Sequence, residues 1–162
     1  MFTNYRIGPQ AMKYFRMAYD AQMAGDLDKA VILYKKSLEI EPTSEGYTFL
    51  GWTFSFMGKL KKAVDYCHKA IAIDPDFGNP YNDIGVYLLQ MGKYDKAIPW
   101  FDKAKRACRY ETPEYAYCNL GKVYELQGLW PLAMQEYQKA LQVRDKYLPA
   151  RTALMQLQAK LN

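Results

Sequence analysis

Four glycines recur along the chain at intervals of 33, 34 and 36 residues, and the residues around each follow one pattern. A small residue lies seven positions before each glycine, and an alanine lies five positions after it. The four sets are Ala18, Gly25 and Ala30; Gly51, Gly58 and Ala63; Gly85, Gly92 and Ala97; and Gly121, Gly128 and Ala133. Such a period indicates a stack of similar helical hairpins, because a single hairpin of this size cannot bury its own apolar face.

Each unit is predicted to consist of two helices joined at its glycine. Tyr47, Leu50 and Phe54 recur with the spacing of one helical face. Gly58 suits the left-handed turn that ends a helix, and Pro75 prevents the second helix from continuing. The same reasoning along the chain predicts helices near 11–24, 27–40, 45–57, 60–73, 80–91, 94–109, 113–127, 130–145 and 149–161.

The later units carry the fullest form of the pattern. The third has Tyr81, Ile84, Gly85, Leu88, Gly92, Tyr94, Ala97, Phe101 and Ala104. The fourth has Tyr117, Leu120, Gly121, Tyr124, Gly128, Trp130, Ala133, Tyr137 and Ala140. In these positions the chain resembles the tetratricopeptide repeat (TPR) proteins, over nearly all of residues 11–161. The resemblance implies an all-α fold, an α-α superhelix of antiparallel helix hairpins whose first helices line a concave surface.

The resemblance also divides the chain into four repeats with a piece at each end. Residues 1–10 are an N-terminal extension, 11–43, 44–77, 78–111 and 112–147 are the repeats, and 148–162 are a C-terminal capping helix. The third and fourth repeats lack the proline that follows the second helix of the second repeat, Pro75, and have Arg109 and Asp145 in its place. Two extra residues also precede Thr112. We expect these residues to change slightly the angle between the third and fourth repeats.

The first helices of the early units carry more apolar residues than a core requires. Beside the Tyr47, Leu50 and Phe54 face, the helix at 45–57 has a second stripe of Phe49, Trp52 and Phe56. The first helix likewise has a predicted core stripe of Tyr14, Met17 and Ala21 and a second stripe of Met12, Phe15, Tyr19 and Met23. One stripe is enough to join a helix to a core. The second stripes therefore predict an apolar groove at the N-terminal end of the concave surface.

Polar residues replace these stripes in the third and fourth units. Asn82, Asp83, Asn119 and Lys122 take the groove positions there and are expected to fix the register of a ligand by hydrogen bonds. The candidate protein-binding groove therefore consists of Met12, Phe15, Tyr19, Met23, Phe49, Trp52, Phe56, Asn82, Asp83, Val86, Asn119 and Lys122. A matching partner is a protein or peptide with an apolar anchor segment, bound as a helix or an extended chain.

Three other ways to cover the apolar stripes remain open. The Phe49, Trp52 and Phe56 stripe can pack into the core between repeats. Residues 1–10, with Met1, Phe2, Tyr5 and Ile7, can fold back into the groove. A second copy of the chain can cover the groove in a homo-oligomer. We therefore expect a non-catalytic protein–protein interaction scaffold or adaptor, with a self-assembling homo-oligomeric TPR scaffold as the alternative.

The best-known site of the TPR family does not fit this chain. That site is a clamp of Lys, Asn and Arg side chains for the C-terminal carboxylate of heat-shock chaperones. The matching positions here hold Phe15, Tyr19, Phe49, Asn79 and Asp83, and the aspartate would repel a carboxylate. The groove is more similar to those of TPR secretion chaperones and complex-assembly scaffolds, which hold hydrophobic or amphipathic segments.

Other functional classes find little support. The chain has no phosphate-binding glycine loop, zinc-helix motif or nucleophile–base pair, so we expect no enzyme, cofactor or metal. The net charge is +5, with a basic cluster of Lys103, Lys105, Arg106 and Arg109, which we interpret as a solvated helix face in preference to a nucleic-acid or RNA patch. With no apolar run near the length of about 20 residues that spans a bilayer, a cytoplasmic location is expected.

Overall fold

The computed structural model describes Phe2 and residues 4–161; Met1, Thr3 and Asn162 lie outside it. This described part contains nine α-helices joined by short turns. They are α1 (Pro9–Met23), α2 (Leu27–Ile40), α3 (Ser44–Phe56), α4 (Leu60–Ile73), α5 (Asn79–Gln90), α6 (Tyr94–Arg106), α7 (Pro113–Leu126), α8 (Trp130–Val143) and α9 (Leu148–Leu161). All nine predicted helices are present, and the largest difference is that α6 ends three residues before the predicted limit of 109. None of these helices is long and apolar enough to cross a membrane.

The turns inside the hairpins are closed as the glycine pattern predicts. Gly58 and Gly92 both have φ of 72°, a conformation that a side chain would disfavour. The N–H of Lys59 then donates to the Phe54 carbonyl at 2.9 Å, which is the hydrogen bond of a glycine-terminated helix. Each first helix therefore reverses at once into its second helix.

The hairpins stack into an all-α superhelix. Each helix packs against the next one in the chain, and the first helices α1, α3, α5 and α7 also contact one another in turn. These four helices consequently form one continuous side of the molecule, on which the candidate groove lies. The last helix, α9, packs against α8.

Small residues in the first helices allow close packing of aromatic rings from the second helices. A Cβ atom placed on Gly85 would lie 2.6 Å from Cε1 of Phe101, whose side chain is completely buried. Gly121 stands in the same relation to Tyr137, also at 2.6 Å. At Gly85 and Gly121 a ring therefore rests on the backbone of its partner helix, whereas the backbone carbonyl of Ala63 lies closest to Gly51.

The early end of α6 leaves residues 107–112 as a loop that contacts the preceding repeat. The N–H of Gly78 donates to the Arg109 carbonyl at 3.0 Å, and the N–H of Arg109 donates to the Asp76 carbonyl at 2.9 Å. These bonds form a short parallel bridge between the loops that follow α4 and α6. The irregular spacing before Thr112 thus gives a connection between neighbouring repeats.

Candidate functional site

The aromatic end of the groove is covered by the chain's own N-terminal segment, defined here as Phe2 and residues 4–8. The ring centre of Phe2 lies 5.2 Å from that of Phe15, 5.1 Å from that of Tyr19 and 6.4 Å from that of Phe49. Tyr5 lies 5.8 Å from Phe15 and 5.9 Å from Phe49 by the same measure. Aromatic rings at these separations attract one another in addition to burying apolar surface.

Carboxylates hold the backbone of the N-terminal segment in place. The N–H of Arg6 donates to Oε1 of Glu45 at 2.9 Å, and the N–H of Gly8 donates to Oε2 of Glu41 at 2.6 Å. The Asn4 side-chain amide donates to Glu111 on the far side of the groove. Of the coverings considered above, the structure therefore contains the folded-back N-terminus, although Met1 lies outside the described residues.

Phe15 is a core residue and does not line an open groove. Its side chain is completely buried, 5.4 Å from the ring centre of Tyr34. The buried face of α1 includes Ala11, Phe15, Ala18, Ala21 and Gln22. Of the predicted core stripe, Ala21 is therefore confirmed and Tyr14 is half-buried, whereas the assignment of Met17 is wrong, since it is 43% exposed.

The other apolar candidates divide into two groups. Tyr19, Phe49 and Trp52 are half-buried and meet in one cluster, with ring centres of Phe49 and Trp52 5.6 Å apart. Met23 and Phe56 remain about half exposed, at 48% and 53%. Met12 and Val86 are partly buried against the core. The structure therefore brings Phe49 and Trp52 to the groove and leaves Met23 and Phe56 at its edge.

The groove remains open beyond the N-terminal segment. A cavity of about 380 Å³ adjoins the segment and is bordered by residues that include Tyr5, Trp52, Glu111 and Tyr115. A second cavity of about 240 Å³, here called the Asp83 cavity, continues from it between α3, α5 and α7. The two share the walls Phe49, Trp52, Asn79, Thr112 and Tyr115. Together they form one channel with aromatic walls and a polar floor.

The floor of this channel is formed by α5. Asn82 is buried and its side-chain oxygen accepts a hydrogen bond from Nδ2 of Asn119 at 3.0 Å. Burial raises the pKa of the neighbouring Asp83 to about 7, and a hydrogen bond from Asn82 opposes this change. Lys122 does not border either cavity; it is exposed and lies 3.5 Å from Glu125.

Several wall residues were absent from the candidate list. Asn79, Tyr110, Thr112 and Tyr115 all border the Asp83 cavity. Asn79 and Tyr115 occupy groove positions of the third and fourth units, so the repeat pattern was sufficient to find them. Tyr110 and Thr112 lie at the irregular spacing, where the repeat gives no guide to side-chain position.

Arg109 borders the larger cavity of the channel and does not belong to a free basic stripe. Its guanidinium lies 2.8 Å from Glu45, a carboxylate only 1% exposed, and 2.7 Å from Asp74, and it stacks 4.2 Å from the ring centre of Phe77. Lys105 is also paired, 3.2 Å from Glu136. Two members of the predicted basic cluster, Lys105 and Arg109, are therefore held in separate ion pairs, whereas Lys103 and Arg106 are exposed. In the sequence, the one sign of this structural role was that Arg109 stands where the second repeat has a proline.

We predict that Phe2→Ser lowers the free energy of unfolding by about 1–2 kcal/mol, because the half-buried ring loses its contacts with Phe15, Tyr19 and Phe49. Phe56→Ser, the same change on a ring that is 53% exposed and lies against one other ring, that of Trp52, should cost less, about 0.5 kcal/mol. Urea denaturation followed by circular dichroism measures both. Equal effects of the two variants would mean that the N-terminal segment does not stay in the groove.

Comparison with known proteins identifies the repeats. Tetratricopeptide repeat models match residues 44–77 and 76–146. The chain is 34% identical over 106 residues to photosystem I assembly protein Ycf3 of Prochlorococcus marinus, an alignment of 59% of this chain and 61% of that one. It is 33% identical over 84 residues, 51% of this chain and 24% of the relative, to small glutamine-rich tetratricopeptide repeat-containing protein 2 of Mycosarcoma maydis. The chain thus spans less than two thirds of either relative.

A solved structure has a similar fold. PilW, a type IV pilus biogenesis factor, superimposes with a TM-score of 0.84 over 94% of this chain and 70% of PilW, at 21% identity. At this identity the likeness concerns the helical stack, and the side chains of the channel are this chain's own.

Proposed function

Because the chain belongs to the tetratricopeptide repeat family, we propose that it is a non-catalytic interaction scaffold whose groove binds an extended segment of another protein. Interaction and assembly are the roles of the family to which the repeats assign it. The bound segment lies in the channel between α3, α5 and α7, beside the N-terminal segment.

The observation that carries this proposal is the N-terminal segment itself. It occupies the aromatic end of the groove with two rings, while N–H groups of Arg6 and Gly8 donate to carboxylates. A peptide is therefore already bound to this surface through side-chain rings and backbone hydrogen bonds. Phe49 and Trp52, which border the open channel, offer the same apolar chemistry to a second segment.

The partner's anchor is proposed to be a large apolar side chain between Trp52 and Tyr115. Full burial of one such side chain contributes about 1.5–3 kcal/mol, and a few aromatic anchors carry most of the energy of a typical interface. Asn79, with its side chain at the junction of both cavities, then provides hydrogen bonds to the backbone of the segment. The name of the Ycf3 relative, an assembly protein for a photosystem, supports a role in building a larger complex.

A homo-oligomer is the second candidate, because the N-terminal segment that fills this groove is also present in every other copy of the chain. Exchange of this segment between two copies would reproduce the same contacts across an interface. Nucleic acid is not proposed as a ligand. Among the described residues that border the two cavities, Arg109 is the single basic side chain, and it is paired with Glu45 and Asp74.

We predict that the immobilised full chain selects peptides with an aromatic or large aliphatic anchor from a random library. Trp52→Ala should weaken the selected peptides by about tenfold or more, equal to about 1.4 kcal/mol, because it removes one wall of both cavities. Isothermal titration calorimetry with synthetic copies of the peptides measures this loss.

Trp130→Ala is the matched control, since Trp130 lies on α8 and is 43% exposed. It should leave affinity within about twofold. Equal losses in the two tryptophan variants would contradict binding in the channel. Light scattering on the same samples tests the homo-oligomer. A dimer in the unchanged chain that dissociates in Phe2→Ser would favour exchange of the N-terminal segment between copies over binding of a peptide.

A further inference from the structure

The Asp83 cavity combines aromatic walls with a single carboxylate that has no counter-charge. Its walls include Trp52, Tyr110 and Tyr115, and Asp83 is the one charged residue on its border among those that the structure describes. The volume of the cavity is about 240 Å³. A long side chain, but not a folded element, fits a space of this size.

No cation of the described chain reaches this carboxylate. The salt bridges formed by residues 4–161 do not include Asp83. Arg109, which borders the neighbouring cavity, directs its guanidinium to Glu45 and Asp74 instead. Burial raises the pKa of Asp83, and the only opposing contribution is the Asn82 hydrogen bond, with none from a positive charge. A half-buried carboxylate without a charged partner is unusual, because the water it loses is not replaced by an opposite charge.

The cavity walls suit a cation for a second reason. Trp and Tyr faces attract an ammonium or guanidinium group, and Trp does so most strongly. The stems of Lys and Arg are apolar and pack along such rings while the charged end reaches an acid. A carboxylate that borders an aromatic cavity therefore offers both parts of a basic side chain a matching contact, and the hydrogen bond it accepts is charge-assisted.

We propose that the Asp83 cavity is the subsite for an arginine or lysine side chain of the bound segment. This inference rests on the proposed function, since it names the chemistry of a ligand in the same channel. The two cavities share five wall residues, so the basic residue should stand close in sequence to the apolar anchor. The partner is thus an extended segment in which a basic residue and a large apolar residue are near neighbours.

The test repeats the library selection on three proteins: the unchanged chain, Asp83→Asn, and the control Asp65→Asn. Asp65 is an exposed carboxylate on α4, so its substitution makes the same chemical change away from the groove. We expect arginine or lysine at a fixed spacing from the anchor in peptides selected by the unchanged chain and by Asp65→Asn. Asp83→Asn should lose this preference while it still selects the apolar anchor.

Synthetic peptides then give the contribution of the basic residue to affinity, because the change is made in the peptide. Replacement of the basic residue by glutamine should weaken binding to the unchanged chain by about tenfold and should have little effect on binding to Asp83→Asn. Peptides with separate arginine and lysine distinguish the two cations.

Two failures have different meanings. If peptides bind in the channel with an apolar anchor and no basic preference, the subsite is wrong and the groove function stands. If the unchanged chain selects no peptide that depends on Trp52, the proposed function fails and the subsite with it.

Discussion

Arg109→Met is expected to lower the free energy of unfolding by about 3–5 kcal/mol, the usual cost of breaking a buried ion pair from one side. Arg109 places one guanidinium between Glu45 and Asp74, and Glu45 is only 1% exposed. Burial would raise the pKa of Asp74, but hydrogen bonds from Arg109 and from the Asp76 backbone outweigh it and the pKa lies below its usual range. Without the arginine, Glu45 keeps the Arg6 N–H as its hydrogen-bond donor but loses the cation with which it is paired.

Urea denaturation provides the measurement, and Arg106→Met is the matched control. Arg106 is an exposed residue at the end of α6, so this variant should stay within about 0.5 kcal/mol of the unchanged chain. A second substitution, Glu45→Gln, should recover part of the loss in Arg109→Met, because it removes the unpaired charge. If Arg109→Met costs no more than Arg106→Met, the ion pairs around Glu45 do not stabilise the fold.

The second large effect is a gain in stability. Asp83→Asn should raise the free energy of unfolding by about 2 kcal/mol at pH 8 and by almost nothing near pH 4. Burial raises the pKa of Asp83 from 3.8 to about 7 in the folded chain. Between these pH values Asp83 holds a proton in the folded chain and has released it in the unfolded chain. The free energy of unfolding of the unchanged chain therefore falls as the pH rises from about 4 to about 7 and changes little above that, as far as Asp83 is concerned. A rise in pKa from 3.8 to about 7 corresponds to about 4 kcal/mol, and we expect less because Asp83 is only half-buried and borders an open cavity.

This prediction is measured as the difference between two pH profiles of unfolding, for Asp83→Asn and for the unchanged chain. Asp74 and Glu125, whose pKa values are lowered in the folded chain, lose stabilisation on acidification in both proteins and cancel in the difference. The exposed Asp65→Asn should show no such profile. A difference that is independent of pH, or a destabilised Asp83→Asn at pH 8, would show that Asp83 is not held in a desolvated site.

Much of the fold was predictable because the sequence repeats its own boundaries. Glycine at a left-handed turn and proline after a helix act locally, so the hairpin turns at Gly58 and Gly92 could be placed without tertiary information. The end of α6 at Arg106 was missed for a related reason. Residues 107–112 depart from the repeat, and their conformation depends on backbone bonds to Asp76 and Gly78 in another unit.

The site was predictable only in part, since the position of the N-terminal segment over it depends on contacts between residues that are far apart in the sequence. Phe49 and Trp52 stood out as a second apolar stripe and do border the channel. The N-terminal segment has no period, so its place over Phe15 could be considered but not assigned from the sequence. Arg109 and Glu45 are 64 positions apart, and no local pattern connects a buried acid with an arginine at that separation.

The Arg109 connection has a consequence for the order in which the molecule opens. It joins α3, the loop after α4 and the loop after α6, and Arg6 of the N-terminal segment lies 3.4 Å from the same Asp74. At the other end, α9 packs against α8 alone among the helices with extensive contacts. Since each unit of a stack is stabilised by its neighbours, the amide protons of the three early hairpins should exchange slowly and as one cooperative unit. Those of α9 should exchange faster, through local unfolding of that helix. The aromatic end of the groove is thus expected to be the more rigid one.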